Sequence, residues 1–123
     1  MTNLIISGGR DRFISYAGFM LLDQLLLKLE LKVTLFNGGA TGVDASAWGW
    51  GEYRGLAMRK YNADWTKYGK RAGPIRNAQM VDDAGKDGIL IAFMGGVGTT
   101  NIVNYARNKI TIYDFRSTKG YVV

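Results

Sequence analysis

Short apolar runs along the chain alternate with longer stretches whose apolar residues recur at helical spacing, and several of the runs stop at glycine. Asn3 to Ser7 (NLIIS) ends at Gly8-Gly9 and reads as a buried parallel strand. The pattern then predicts a helix capped by Asp11, with Phe13, Tyr16, Ala17, Met20 and Leu21 among its apolar positions. Further along, Leu22, Leu25, Leu26, Leu27 and Leu29 leave this helix little polar surface. It needs more than one covering surface, so self-association into a homo-oligomer is expected. Lys32 to Asn37 (KVTLFN) is the second strand and stops at Gly38-Gly39, after which Thr41 to Asp44 has the form of a capping box opening a second helix. Small residues in that helix (Ala45, Ser46, Ala47 and Gly49) permit close packing on a sheet, while Trp48 and Trp50 must face different sides. Leu56 to Tyr61 gives a weaker third strand, followed by an irregular stretch from Asn62 to Gly73. Pro74 suits the first turn of a helix running to about Ala84. Gly88 to Phe93 (GILIAF) is the strongest core strand, and Gly95-Gly96-Val97-Gly98 follows it. Thr99 or Thr100 is the expected cap of a last helix reaching about Asn108, and Ile110 to Phe115 is the final strand.

Strands separated by helices predict an α/β fold, a Rossmann-like three-layer sandwich around a mostly parallel five-stranded sheet with right-handed crossovers. At 123 residues the expectation is a single domain over 1–123. In a parallel sheet all C-terminal strand ends share one edge, so the three glycine loops should converge there, each ahead of a helix. A helix N-terminus offers unpaired N–H groups and the positive end of a dipole, and glycine lets an anion approach the backbone closely. Three such loops in register predict a phosphate site in the crevice at this edge. The loops match neither common fingerprint. Asn101 stands where a dinucleotide motif would carry its third glycine, and no Gly-x-x-x-x-Gly-Lys-Ser/Thr is present. Dehydrogenase and P-loop ATPase readings are therefore set aside.

Composition narrows the chemistry further. Cysteine and histidine are both absent, which removes disulfides, the common zinc sites and imidazole or thiolate catalysis. No metal and no resident cofactor is expected. The net charge of +6 favours an anionic partner, either a small phosphorylated ligand or, less favoured, nucleic acid. No apolar run reaches the roughly 18 residues of a membrane span, and Met1 to Ser7 reads as a strand rather than a leader. A cytoplasmic location without a membrane partner is the expectation.

Five motifs occur in order: Ile6-Ser-Gly-Gly-Arg10, Asn37-Gly-Gly-Ala-Thr-Gly-Val-Asp44, Ala63-Asp-Trp-Thr-Lys-Tyr-Gly-Lys70, Ala72-Gly-Pro-Ile-Arg-Asn77 and Ala92-Phe-Met-Gly-Gly-Val-Gly-Thr99. Together they resemble the SLOG superfamily, specifically its small YspA / cpYpsA-related branch, over about residues 4 to 113. The resemblance implies a Rossmann-like sheet with a site for nucleotides or nucleotide-derived signals. Cytokinin-activating phosphoribohydrolases and the DNA-processing protein of natural transformation are the better-known cousins. In the phosphoribohydrolases the glycine turn is followed by a catalytic glutamate, and here that position is Ile102. An aliphatic side chain cannot polarise a ribose hydroxyl, so the resemblance leans away from turnover.

The expected ligand-binding set gathers the loops and their neighbours: Ser7, Gly8, Gly9 and Arg10; Gly38, Gly39, Thr41 and Asp44; and Gly95, Gly96, Gly98, Thr99 and Thr100. Arg76 and Asn77 join it because a cation in a first helical turn is disfavoured unless an anion sits nearby. Asp64, Trp65, Lys67 and Tyr68 complete it, with the aromatic rings offering faces on which a base could stack. Lys70 and Arg71 add positive charge. Three functions remain open: capture of a nucleotide-derived ligand such as an ADP-ribose derivative, in the setting of phage–host signalling; hydrolysis of an N-glycosidic or phosphate bond by Asp44, Asp64 or Asp82; and nucleic-acid binding.

Overall fold

The computed structural model describes the chain from Met1 to Val123. Strands β1 (Thr2–Ser7), β2 (Val33–Asn37), β3 (Ala57–Lys60), β4 (Ile89–Phe93) and β5 (Thr111–Phe115) form one sheet in the order β3-β2-β1-β4-β5. Every neighbouring pair is parallel, so the Rossmann-like expectation holds and the sheet is parallel throughout. Helices α1 (Tyr16–Lys28), α2 (Val43–Tyr53), α3 (Trp65–Tyr68), α4 (Ala72–Ala84) and α5 (Val97–Ala106) connect the strands, with 3₁₀ turns at Gly69–Arg71 and Lys119–Tyr121.

The two-residue period of β1 sends Leu4 and Ile6 to one face and Ile5 to the other. On the first face Leu22 and Leu26 of α1 pack with Val43, Ala47 and Trp50 of α2. On the second, Met80, Val81 and Ala84 of α4 meet Ile102, Val103 and Ala106 of α5. All five residues of β4 are buried, which is why its run is uninterruptedly apolar. The strand order reverses between β1 and β4, and open α/β sheets leave a crevice at such a point.

Local details depart from the sequence pattern where long-range partners intervene. Ser15, and not Asp11, caps α1: its hydroxyl accepts from the Gly18 amide at 3.2 Å. The C-terminal segment covers this helix start through paired backbone bonds between Phe13 and Val123 (3.0 and 2.8 Å) and a Ser15-to-Tyr121 bond. Thr41 and Asp44 form no reciprocal box. Gly42 is the N-cap of α2 with φ 73°, Thr41 donates to the Arg10 carbonyl, and Asp44 accepts from the Ala40 amide. Neither Thr99 nor Thr100 caps α5, whose N-cap is Gly96, and that helix stops at Ala106. Within the stretch expected to be irregular, Asp64 caps the short helix α3 by accepting from Lys67 N at 3.0 Å. Of the small residues in α2, Ala47 faces the sheet together with Gly51, while Ala45 and Gly49 face outward. Trp50 is buried and donates to Asp23 at 2.9 Å, whereas Trp48 is half-buried under Lys60, so the two rings do part company.

Gly42 is where backbone freedom matters most. Its φ is left-handed, and a Cβ there would collide with the Gly9 carbonyl oxygen and the Arg10 backbone. Gly42→Ala should therefore lower the unfolding free energy by at least about 2 kcal/mol, read as a reduced urea midpoint. Gly96→Ala, with open space around its Cβ, should stay within about 1 kcal/mol of wild type.

Candidate functional site

A crevice of about 510 Å³ opens at the C-terminal edge of the sheet. Its base is the end of β1, Ile6 and Ser7, with the loop Gly8 to Asp11. One wall is the start of α2, with Ala40 and Asp44. The opposite wall combines the first turns of α4 (Gly73, Pro74, Arg76, Asn77 and Met80) and of α5 (Gly96 to Thr99, and Asn101). Trp65 and Lys70 stand at the rim.

The three loops do meet, but they do not contribute equally. In the first, the Gly9 amide donates to the Met94 carbonyl at 3.0 Å. In the second, Gly39 N donates to Asn37 Oδ1 at 2.8 Å, Ala40 N to Asp44 Oδ2 at 3.1 Å, and Val43 N to the Gly9 carbonyl at 3.0 Å. These amides are already engaged within the protein. In the third, the amides from Gly95 through Thr99 donate to no turn, loop or side-chain acceptor. Thr99 is only 3% exposed, yet its hydroxyl has no protein partner and borders the crevice. The longest run of unspent loop donors thus lies at the N-terminus of α5, beside the positive end of its dipole. The helix N-terminus expected from the first loop is replaced in the crevice by that of α4, because the C-terminal segment covers α1.

The expected residues divide accordingly. Ser7, Gly8, Gly9, Arg10, Asp44, Trp65, Arg76, Asn77, Gly96, Gly98 and Thr99 come together on the crevice. Gly38 and Gly39 stand behind it, the Gly38 carbonyl accepting from Arg76 Nη1. Thr41 ties two loops together through the Arg10 carbonyl, and Asp64 is occupied as a cap. Lys67 lies over the Tyr68 ring outside the lining. Gly95 and Thr100 border a shallower hollow on the far side of the α5 turn, with Asn104. Ile6, Asp11, Ala40, Gly73, Pro74, Met80, Val97 and Asn101 line the crevice although they were not in the expected ligand-binding set. The Pro74 helix start was the available signal for several of them.

Charged groups set the character of the space. Arg10, whose guanidinium carbon is 5.4 Å from the Trp65 ring centroid, joins Lys70 and Arg76 against Asp11 and Asp44. Asn77 is fully used: its amide donates to the Gly98 carbonyl (3.3 Å) and Asn101 Oδ1 (3.0 Å), and its oxygen accepts from Arg76 Nε (3.0 Å). It positions the α5 turn and Arg76. Burial pushes the Asp44 carboxyl above its usual pKa, partly opposed by the Ala40 amide and the positive fields of Arg76 and Arg10. Burial also lowers Arg76, opposed by Asp44. No group of three or more acidic side chains converges anywhere as a metal site would require.

Residues 2–68, more than half of the 123-residue chain, match the YspA, cpYpsA-related SLOG family. The chain belongs to that family. Gene 61 protein of Mycobacterium phage D29 is a relative, 38% identical over 117 residues that cover 87% of this chain and 90% of the phage protein. Among solved structures, the X-ray structure of TM1055 superposes with a TM-score of 0.57 at 15% identity, covering 90% of this chain and 77% of that one. That likeness shows the fold alone. The SLOG match ends before the first turns of α4 and α5, so it covers Arg10, Asp44 and Trp65 but neither Arg76 nor the turn from Gly95 to Thr99. No helix of this SLOG protein is long and apolar enough to cross a membrane.

Asp44→Asn gives a direct check on the site's electrostatics. The asparagine oxygen can still accept from the Ala40 amide while the buried charge disappears. Because folding raises this carboxyl's pKa, wild type bears the penalty above the folded value and loses it as pH falls. The variant should gain on the order of 1 kcal/mol at pH 7, about 3–5 °C in Tm, and the gain should vanish below about pH 4.

Proposed function

We propose that this protein captures a nucleotide-derived, phosphate-bearing ligand of the ADP-ribose type and holds it without turnover. The observation that carries the reading is the run of unspent amides from Gly96 through Thr99, with the buried Thr99 hydroxyl, opening into a crevice flanked by Arg10, Lys70 and Arg76. A phosphate there gains backbone donors, a hydroxyl, the α5 dipole and nearby cations together. Trp65, 48% exposed at the rim, offers a face for the base. Ile102 supports capture over hydrolysis: at the position where the phosphoribohydrolase cousins carry glutamate, it is fully buried between α4, α5 and the sheet. The phage relative supports a place in signalling between phage and host. On α1, Tyr16, Met20 and Leu27 are exposed at 82%, 47% and 70%, which supports pairing with a second copy, measurable by light scattering.

Titration with ADP-ribose, followed by mass spectrometry of the recovered ligand, tests the reading. Saturating ligand should raise Tm by several degrees and return intact. Thr99→Val should weaken binding about tenfold, because one hydrogen bond to a charged group is lost. Release of free base or phosphate would instead make the site a hydrolase. Binding to mixed oligonucleotides that falls steeply with salt would make it a nucleic-acid module.

A further inference from the structure

Asp44 is the one carboxylate sunk into the crevice wall, at 9% exposure. Its Oδ2 accepts from the Ala40 amide. Its Oδ1 has no partner in the protein, and because no fully buried side-chain oxygen lacks a partner, that atom reaches the crevice. None of the fold's ion pairs includes Asp44. A polar group in this condition lacks only a donor from outside, since leaving it unmet is costly.

What supplies the donor is constrained by Arg76. A Cβ built on Gly38 would lie 2.8 Å from Asp44 Oδ2 and 2.9 Å from Arg76 Nη1, so the two head groups flank one point without pairing. A ligand that brings negative charge toward Arg76 therefore places its adjoining atoms against Asp44. A second phosphate oxygen there would be repelled. A base amine is separated from the phosphate by the whole sugar, too far for a pair of groups this close. A sugar hydroxyl next to the phosphate has the right polarity and the right reach.

We infer that Asp44 is a specificity-determining residue that accepts a hydrogen bond from a ribose hydroxyl, so the crevice selects phosphates carried on a sugar with free hydroxyls. The inference rests on the nucleotide reading given above and names the part of the ligand that reading leaves open. The cations Arg10, Lys70 and Arg76 offer only donors, which suit phosphate oxygens and cannot recognise a hydroxyl by accepting from it.

Calorimetry with three probes (ADP, 2′,3′-dideoxy-ADP and inorganic pyrophosphate) on wild type and Asp44→Asn tests it. Wild type should hold ADP at least about tenfold tighter than the dideoxy compound, the size of one hydrogen bond to a charged group. In Asp44→Asn that gap should shrink to under about threefold, with pyrophosphate binding unchanged or tighter because a negative charge has gone. If wild type binds pyrophosphate yet holds ADP and dideoxy-ADP equally, Asp44 reads no hydroxyl and the anion site survives without it. An undiminished gap in Asp44→Asn would overturn the assignment too, by moving the recognition to another group. Failure of all three probes on wild type would remove both the nucleotide reading and this inference. Should Asp44→Asn not fold, the wild-type comparison of ADP with dideoxy-ADP still decides.

Discussion

The backbone of Gly9 ties the loops after three strands together, and the rest of the site depends on that junction. Its N–H donates to Met94 beyond β4, and its carbonyl accepts from Val43 at the start of α2. Both contacts need the chains almost touching. A Cβ at Gly8 would press on Val43 Cγ2 at 2.6 Å, and one at Gly42 would strike Gly9 itself. Glycine at these positions works by absence: it lets backbone meet backbone, and the strand ends are drawn in to frame one crevice.

This junction also divides the labour among the loops. Amides spent on holding the first two loops together cannot bind a ligand, whereas those from Gly95 through Thr99 in the α5 turn donate to no turn, loop or side-chain acceptor. Asn77 keeps that turn in place from α4 by donating to Gly98 and Asn101, and by accepting from Arg76 it orients the nearest cation. The crevice therefore sets a run of backbone donors on one wall against the buried Asp44 carboxylate on the other. Such a polarity suits a ligand with a negative end and a hydroxylated middle. Burial raises the pKa of this same carboxylate, and under the proposed reading that cost in stability would go with selectivity among phosphate esters.

Much of this was legible in the residues. The five strands, their mostly parallel arrangement and the shared edge followed from apolar runs broken by glycine, and the ordered motifs pointed to the family. Crevice-lining residues were legible where chain position alone fixes a place on that edge, as for Gly8, Gly9, Arg10, Gly96 and Thr99. They were misplaced where a residue of the right type had already found a partner, as with Thr41 on the Arg10 carbonyl and Asp64 on its own helix.

Period and turn chemistry are local properties, so the sequence by itself determined the layers of the fold and the shared edge at which the crevice opens. Which donors stay free is a competition among groups far apart in the chain. Only the tertiary structure could decide that Gly9 N is taken by Met94 and Val43 N by Gly9, that Val123 and Tyr121 cover the start of α1, and that one oxygen of Asp44 is left facing the crevice without a partner.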